Sequence, residues 1–297
     1  MPSDGIQAVT VGARERPSMS WGQVVWRKFR RHRLALAGAV IIILLYIVAI
    51  FAPFLAPYDP YAVDPARRLE LPSAAHPMGL DELGRDVLSR VMYGTRVSLT
   101  VGFIAAGISL VVGVFLGALG GYYGGVVDNV IMRIVDVLMS VPEFLLIIAI
   151  VAAVGPSLTT VMLVIGLTHW SGYARVTRGS VLSLRSREFV EAARALGGSN
   201  LLIILKHIVP NCLAPVIVLA TLNVAGAILI ESSLSFLGFG AQPPTASWGS
   251  ILNAGRQYMR RAPHIALFPG LAITITVLAF NLLGDGLRDA LDPKMKT

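Results

Sequence analysis

A single cysteine, Cys212, lies inside an apolar run of the 297-residue chain, so no internal disulfide and no two-thiol redox motif can form. A buried structural thiol is the reading that fits its surroundings. Charge is scarce as well: Asp, Glu, Lys and Arg make up 14% of residues, where an ordinary soluble domain carries about 25%. No G-x-x-x-x-G-K-[ST] phosphate loop is present, since none of Lys28, Lys206, Lys294 and Lys296 follows a glycine. There is no H-E-x-x-H pair, and the five histidines are scattered. With neither a phosphate loop nor a metal or nucleophile constellation, the chain is expected not to be an enzyme. The net charge of +8 first suggests nucleic acid, but the basic residues flank apolar runs and are not interleaved with aromatics. A membrane setting explains both charge and hydrophobicity.

What the chain does have is length in its apolar runs. A bilayer core of about 30 Å needs roughly 20 apolar residues in a helix. Six segments come close: Leu34–Leu55, Val97–Leu119, Val137–Val154, Leu158–Ala174, Cys212–Ile230 and Ile265–Leu283. The third is interrupted by Pro142 and Glu143, and the fourth carries His169 and Trp170. The first run is longer than a signal-peptide core and is followed by "APYDPY", which suits a helix end rather than a cleavage site. The expected fold class is an all-α integral membrane protein with six transmembrane helices.

Lys and Arg set the expected orientation. "RKFRRHR" precedes the first run, six basic residues from Arg175 to Lys206 lie between the fourth and fifth, and Arg288, Lys294 and Lys296 close the chain. Positive-inside places these segments, and both termini, in the cytoplasm. The expected organisation is a tail over 1–33, a first span over 34–55, and an outer loop with an amphipathic helix over 56–96. A five-span core over 97–287 follows, including a cytoplasmic loop over 175–210, and then a tail over 288–297. Gly113, Gly117, Gly121 and Gly125 recur every fourth residue, which suits close helix packing. Among polar residues in or beside spans, His169 reads as a group satisfied within the bundle. Glu143 and Glu231 are costly there and are functional candidates by default, with structural hydrogen bonding the other reading.

"SREFVEAARALGGSN", Ser186 to Asn200, departs from this pattern. Glu188 and Glu191, three apart, share a helix face. Ala192, Ala193 and Ala195 keep the next turn slim, Gly197 and Gly198 end it, and Ser199 or Asn200 can cap a second helix stopping at Pro210. A small-residue face beside two acids suits insertion into a groove on another protein.

Glu191-Ala192-Ala193, then Gly197 after three residues, then Pro210, resemble the EAA loop of bacterial ABC importer permeases. The family ends this loop with Ile-x-Leu-Pro; here it reads His207-Ile208-Val209-Pro210, closer to the peptide-importer branch. "HPMGLDELGRDVLSRVMYGTRVSL", "GGYYGG" with "MRIVDV", "SSLSFLGFGAQPPTASWG" and "NLLGDGLRDALDPK" are similar to the C-type permease of dipeptide, oligopeptide, glutathione and nickel importers. The resemblance implies a type I importer permease with an ATPase-docking helix carrying Glu188, Glu191, Ala192, Ala193, Gly197 and Pro210. It implies as partners a homologous second permease, two ATPase subunits and an extracytoplasmic substrate-binding protein, in the inner membrane of a bacterium or archaeon. No cofactor is expected in this chain, with ATP and Mg on the ATPases, and di- or oligopeptides are the expected cargo. The alternative is an ion-coupled secondary transporter using Glu143 and Glu231.

Overall fold

Unbroken apolar stretches become helices here, and glycine, proline and a few polar caps decide where each begins and ends. A computed structural model describes residues 21–291, among which no strand occurs beyond an isolated bridge between Leu80 and Asp86. The helices are α1 (Trp21–Phe29), α2 (Arg33–Leu55), α3 (Val87–Tyr123), α4 (Gly125–Ser140), α5 (Glu143–Val154) and α6 (Leu158–Leu184). There follow α7 (Glu188–Ala195), α8 (Asn200–Ile203), α9 (Val209–Phe236), α10 (Trp248–Arg256) and α11 (His264–Leu291).

Four helices are long and apolar enough to cross a bilayer: Arg33–Leu55, Val87–Tyr123, Asn200–Phe236 and His264–Leu291. The third expected span is a pair, α4 and α5, bent by 90° and counting as a fifth crossing only if taken as one broken span. Val141-Pro142 makes the break, because proline disfavours a helical residue before it. The fourth, α6, has 27 residues, but Thr159, Thr160, Thr168, His169, Ser171 and Arg175 dilute its apolar character and it is not among those four. The count of clear spans is therefore four or five, against the six expected.

Three further boundaries differ. The amphipathic helix expected in the outer loop is the first part of α3: Asp86 caps it by accepting from the Ser89 backbone N–H at 2.8 Å, and the helix then runs 37 residues to Tyr123. Gly94 does not interrupt it, because that glycine makes room for Trp248. Pro210 does not end the second helix either. A π segment, Ile204–Ile208, joins α8 to α9, so that Asn200–Phe236 is one rod of 37 residues. Proline lacks an N–H and crowds the carbonyl four residues back; the wider turn absorbs this, with the Val209 N–H reaching Ile204 O and the Asn211 side chain donating to His207 O at 2.6 Å. Finally, the expected tails are partly structured. Phe29 of α1 packs on Ala35 and Ala290, and α11 extends to Leu291. Residues 1–20 and 292–297, with Lys294 and Lys296, lie outside the described residues.

The frame is the α3–α6 pair. A Cβ on Gly113 would lie 2.4 Å from Tyr173 Cβ, and one on Gly117 would lie 2.4 Å from Ala174 O. Gly121 meets Val181 in the same way, whereas Gly125 stands outside the stripe, with φ +53° at the start of α4. Ser109 of α3 ties the two helices by donating to Gly166 O at 2.9 Å.

At the N-terminal end of α3 the preceding loop forms an ordered cap. His76 Nδ1 lies 2.9 Å from Asp86 Oδ1, Asp81 Oδ2 accepts from Arg85 Nε at 2.7 Å, and Arg90 Nε is 3.3 Å from the same oxygen. His264 of α11 reaches Leu80 O, and Trp248 of α10 donates to Val91 O at 3.1 Å, so cap and helix bundle are stitched together. At the other end of α3, Tyr122 and Ala118 join Val181, Ile203, Ile204, Ile208 and Cys212 in a separate apolar cluster. That cluster is the floor on which α7 sits, and Cys212 is buried in it as expected.

Candidate functional site

One side chain of α7 is fully buried. Val190 is completely buried among Tyr122, Val181 and Ile203. Glu188, Glu191 and Ala192 are exposed, Ala193 is half-buried, and neither acid makes an ion pair among the described residues. Leu196, at the C-terminal tip, is 89% exposed.

The turn after α7 is fixed by its glycines. Gly197 has φ +80°, its N–H donates to Arg194 O, and the Gly198 N–H reaches back to Ala193 O at 3.1 Å. This paired closure satisfies the last carbonyls of the helix and needs a left-handed residue at its centre. Ser199 then caps the next helix through the Leu202 N–H. The α7 axis is thus joined to the Asn200–Phe236 rod by a short turn of defined shape, with exposed Pro210 early in that rod.

A polar collar surrounds this end and escapes a reading of the sequence. Arg178 of α6 grips Asp128 of α4 with two guanidinium nitrogens, Nε to Oδ1 and Nη2 to Oδ2, the latter at 2.6 Å. Arg175 reaches Asp136 at 2.8 Å, and Arg185 donates to Gly121 O. The Tyr122 hydroxyl donates to Asn200 Oδ1 at 2.9 Å while Arg194 lies over its ring. In the sequence these arginines count only as topology signals. The one usable clue is the i,i+3 spacing of Arg175 and Arg178, which puts both on one side of α6.

The remaining candidates lie elsewhere. Glu143 begins α5 at the α4/α5 break, and its Oε1 is 2.9 Å from His169 Nδ1, which also faces Ile165 O at 3.0 Å. Both neighbours accept, so Nδ1 carries the proton. Glu231 is fully buried near the far end of α9. It accepts hydroxyl protons from Ser235 at 2.7 Å, Ser98 at 3.1 Å and Ser232 at 3.4 Å. Glu143 and Glu231 are thus neither isolated nor paired with each other, and neither belongs to the α7 site.

Residues 109–297 match the family described as "Binding-protein-dependent transport system inner membrane component". The chain belongs to this permease family. Residues 20–72 of the permease also match "N-terminal TM domain of oligopeptide transport permease C". The permease is 46% identical over 272 residues to the dipeptide transport system permease protein DppC of Alkalihalophilus pseudofirmus, covering 92% of this chain and 90% of that protein. It is 48% identical over 272 residues to the glutathione transport system permease protein GsiD of Escherichia coli, covering 91% of this chain and 90% of that protein. Its fold is shared with a chain of the inward facing MetNI methionine ABC transporter, at a TM-score of 0.55 and 20% identity, over 69% of this chain and 97% of that chain. It is a C-type permease subunit of an ABC importer, mostly helical and of the type I kind. The family match and the relatives give no support to an ion-coupled carrier.

Proposed function

We propose that the permease forms the membrane path for di- or oligopeptides, together with a homologous second permease, and is driven by ATP bound with Mg on separate ATPase subunits. An extracytoplasmic binding protein delivers the cargo, and no cofactor resides in this chain. Peptide cargo rests on similarity to dipeptide and glutathione permeases over about nine-tenths of the chain. The orientation puts α7 and both termini on the cytoplasmic side of the inner membrane, on the distribution of Lys and Arg.

The observation that carries the mechanism is α7 itself. Its only fully buried residue is Val190, its acids are exposed, and its exit turn is closed by two backbone hydrogen bonds. Such a helix can enter a groove on an ATPase while remaining rigidly joined to the Asn200–Phe236 rod. When the ATPases close on ATP, the docked helix moves with them and the bundle switches the side on which it is open. Docking calls on Glu188, Glu191, Ala192 and Ala193 for the contact face, with Gly197 for the exit angle and Pro210 in the rod that receives the motion.

Glu191→Lys and Gly197→Val test this in the assembled transporter. Glu191→Lys should cost on the order of 2–5 kcal/mol of docking if its ion pair is desolvated. Gly197→Val puts a β-branched residue where φ is +80° and misdirects the exit turn. Both variants should reach the membrane, co-purify less ATPase and lose ATP-driven uptake, while cargo binding to the binding protein is unchanged. Normal assembly and wild-type uptake in both would show that α7 is only a solvated loop helix.

A further inference from the structure

A half-enclosed cavity of about 400 Å³ lies where the α4/α5 break meets the middle of α6 and the middle of α9. Its polar lining is Glu143, Thr168, His169, Ser171 and Asn223, and it contains no Lys or Arg. The Glu143 side chain is 48% exposed although paired with His169. Most of its neighbours offer acceptors. His169 has its Nδ1–H turned to Glu143 and Ile165 O, which leaves Nε2 as an acceptor. Thr168 Oγ1 donates to Val164 O and Ser171 Oγ to Thr168 O, so each hydroxyl proton is spent within α6 and the lone pairs remain. The Asn223 amide adds a carbonyl oxygen beside its NH2 donors. Glu143 also begins α5, the helix end that suits a negative charge.

The cavity therefore holds one carboxylate, several acceptors and no cationic side chain, at a broken helix within the bundle. A group with one positive charge and several N–H donors complements it, and a primary ammonium is that group. We propose that this cavity is a way-station for the ammonium of the transported peptide, with Glu143 as its counter-ion and His169 as the residue that orients Glu143. The inference deepens the peptide-importer reading and rests on it.

The test uses the assembled, nucleotide-free transporter in nanodiscs with Leu146→Cys as reporter. Leu146 lines the cavity one turn after Glu143, and the native Cys212 is buried, so modification is read on this chain by mass spectrometry. A cationic methanethiosulfonate reagent should modify residue 146 about tenfold faster than an anionic one of similar size, as expected for a cleft of one charge sign. Millimolar dialanine amide should slow modification at least about fivefold, and N-acetyl-dialanine amide should not. Nα-acetyl-lysine amide separates the two sources of ammonium: protection by it as well places lysine side chains in the same site, and no protection restricts the site to the peptide N-terminus. Glu143→Gln should abolish the charge preference and the protection, and Glu143→Asp should restore part of both. Equal rates for the two reagents, protection that survives Glu143→Gln, or no modification at all because the second permease fills the cavity would each overturn the proposal. ATP-driven dialanine uptake by the wild-type complex with its binding protein is measured alongside. Uptake with charge-insensitive labelling discards the cavity and keeps the importer. Absence of uptake discards the peptide-importer reading, and the proposal with it.

Discussion

Glu231 is fully buried and carries its own solvation shell in the hydroxyls of Ser98, Ser232 and Ser235. Removing the acceptor strands those hydroxyls, so Glu231→Ala should destabilise the purified permease by roughly 1–3 kcal/mol, read as a lower melting midpoint. Glu231→Gln keeps a side-chain oxygen and should lose less. In reconstituted vesicles both variants should leave uptake dependent on ATP and indifferent to an imposed proton gradient; gradient-driven uptake in the wild type abolished by Glu231→Gln would revive an ion-coupling role. Val190 makes the contrasting case. Val190→Ala removes most of the side chain that seats α7, at a cost of roughly 1–2 kcal/mol, and should weaken ATPase co-purification while leaving membrane insertion intact. Residues differ in how far they can be read from sequence. Gly197 is legible because a positive φ is a property of one position and its neighbours. The role of Glu231 is not, since its partner Ser98 lies 133 residues away, and no local pattern announces that they meet.

At the scale of elements, the glycine stripe shows how much spacing can and cannot reveal. Four-residue spacing correctly marks Gly113, Gly117 and Gly121 as a packing face, but it cannot distinguish Gly125, which shares the interval and serves a turn. Gly117→Leu would drive a side chain into the Ala174 backbone, where even a Cβ sits at 2.4 Å. The expected loss is roughly 3 kcal/mol, seen as poor recovery of monodisperse protein. Gly107, on the same helix with nothing within 4 Å, should accept Leu with a change below about 0.5 kcal/mol in the isolated subunit. Helix ends are the least legible feature for a related reason. Asp86 starts α3 earlier than the hydropathy suggests, and a π segment carries the chain past Pro210. Both depend on hydrogen bonds that composition does not encode.

For the whole molecule, the proposed orientation is tested with introduced thiols. With Cys212 buried, an introduced thiol is a clean reporter. Ala75→Cys, in the exposed cap, should react with an impermeant reagent added to intact cells, whereas Leu196→Cys should react only after permeabilisation. Position 190 would mislead, because burial alone would silence it. The opposite pattern would invert the topology. The general plan, apolar helices with one charged helix between them, is plain in the sequence because both are properties of composition. Pro142 marks in the sequence where α4 and α5 part, but the 90° angle between them is set by no local pattern.

The unbroken Asn200–Phe236 rod has a mechanical consequence. At 1.5 Å per residue it is about 55 Å long, and Glu231, clamped to Ser98 of α3, lies about 46 Å from Asn200. Were the rod to turn rigidly about Glu231, Asn200 and Asn223 would move in proportion to their distances from it. A shift of about 5 Å at Asn200 is a rotation of about 6°, and at Asn223, about 12 Å from the pivot, it is reduced to about 1.3 Å. That is a gearing of nearly four to one. With that pivot, a coarse stroke at the α7 end would reach the cavity wall as a movement the size of a hydrogen bond being made or broken.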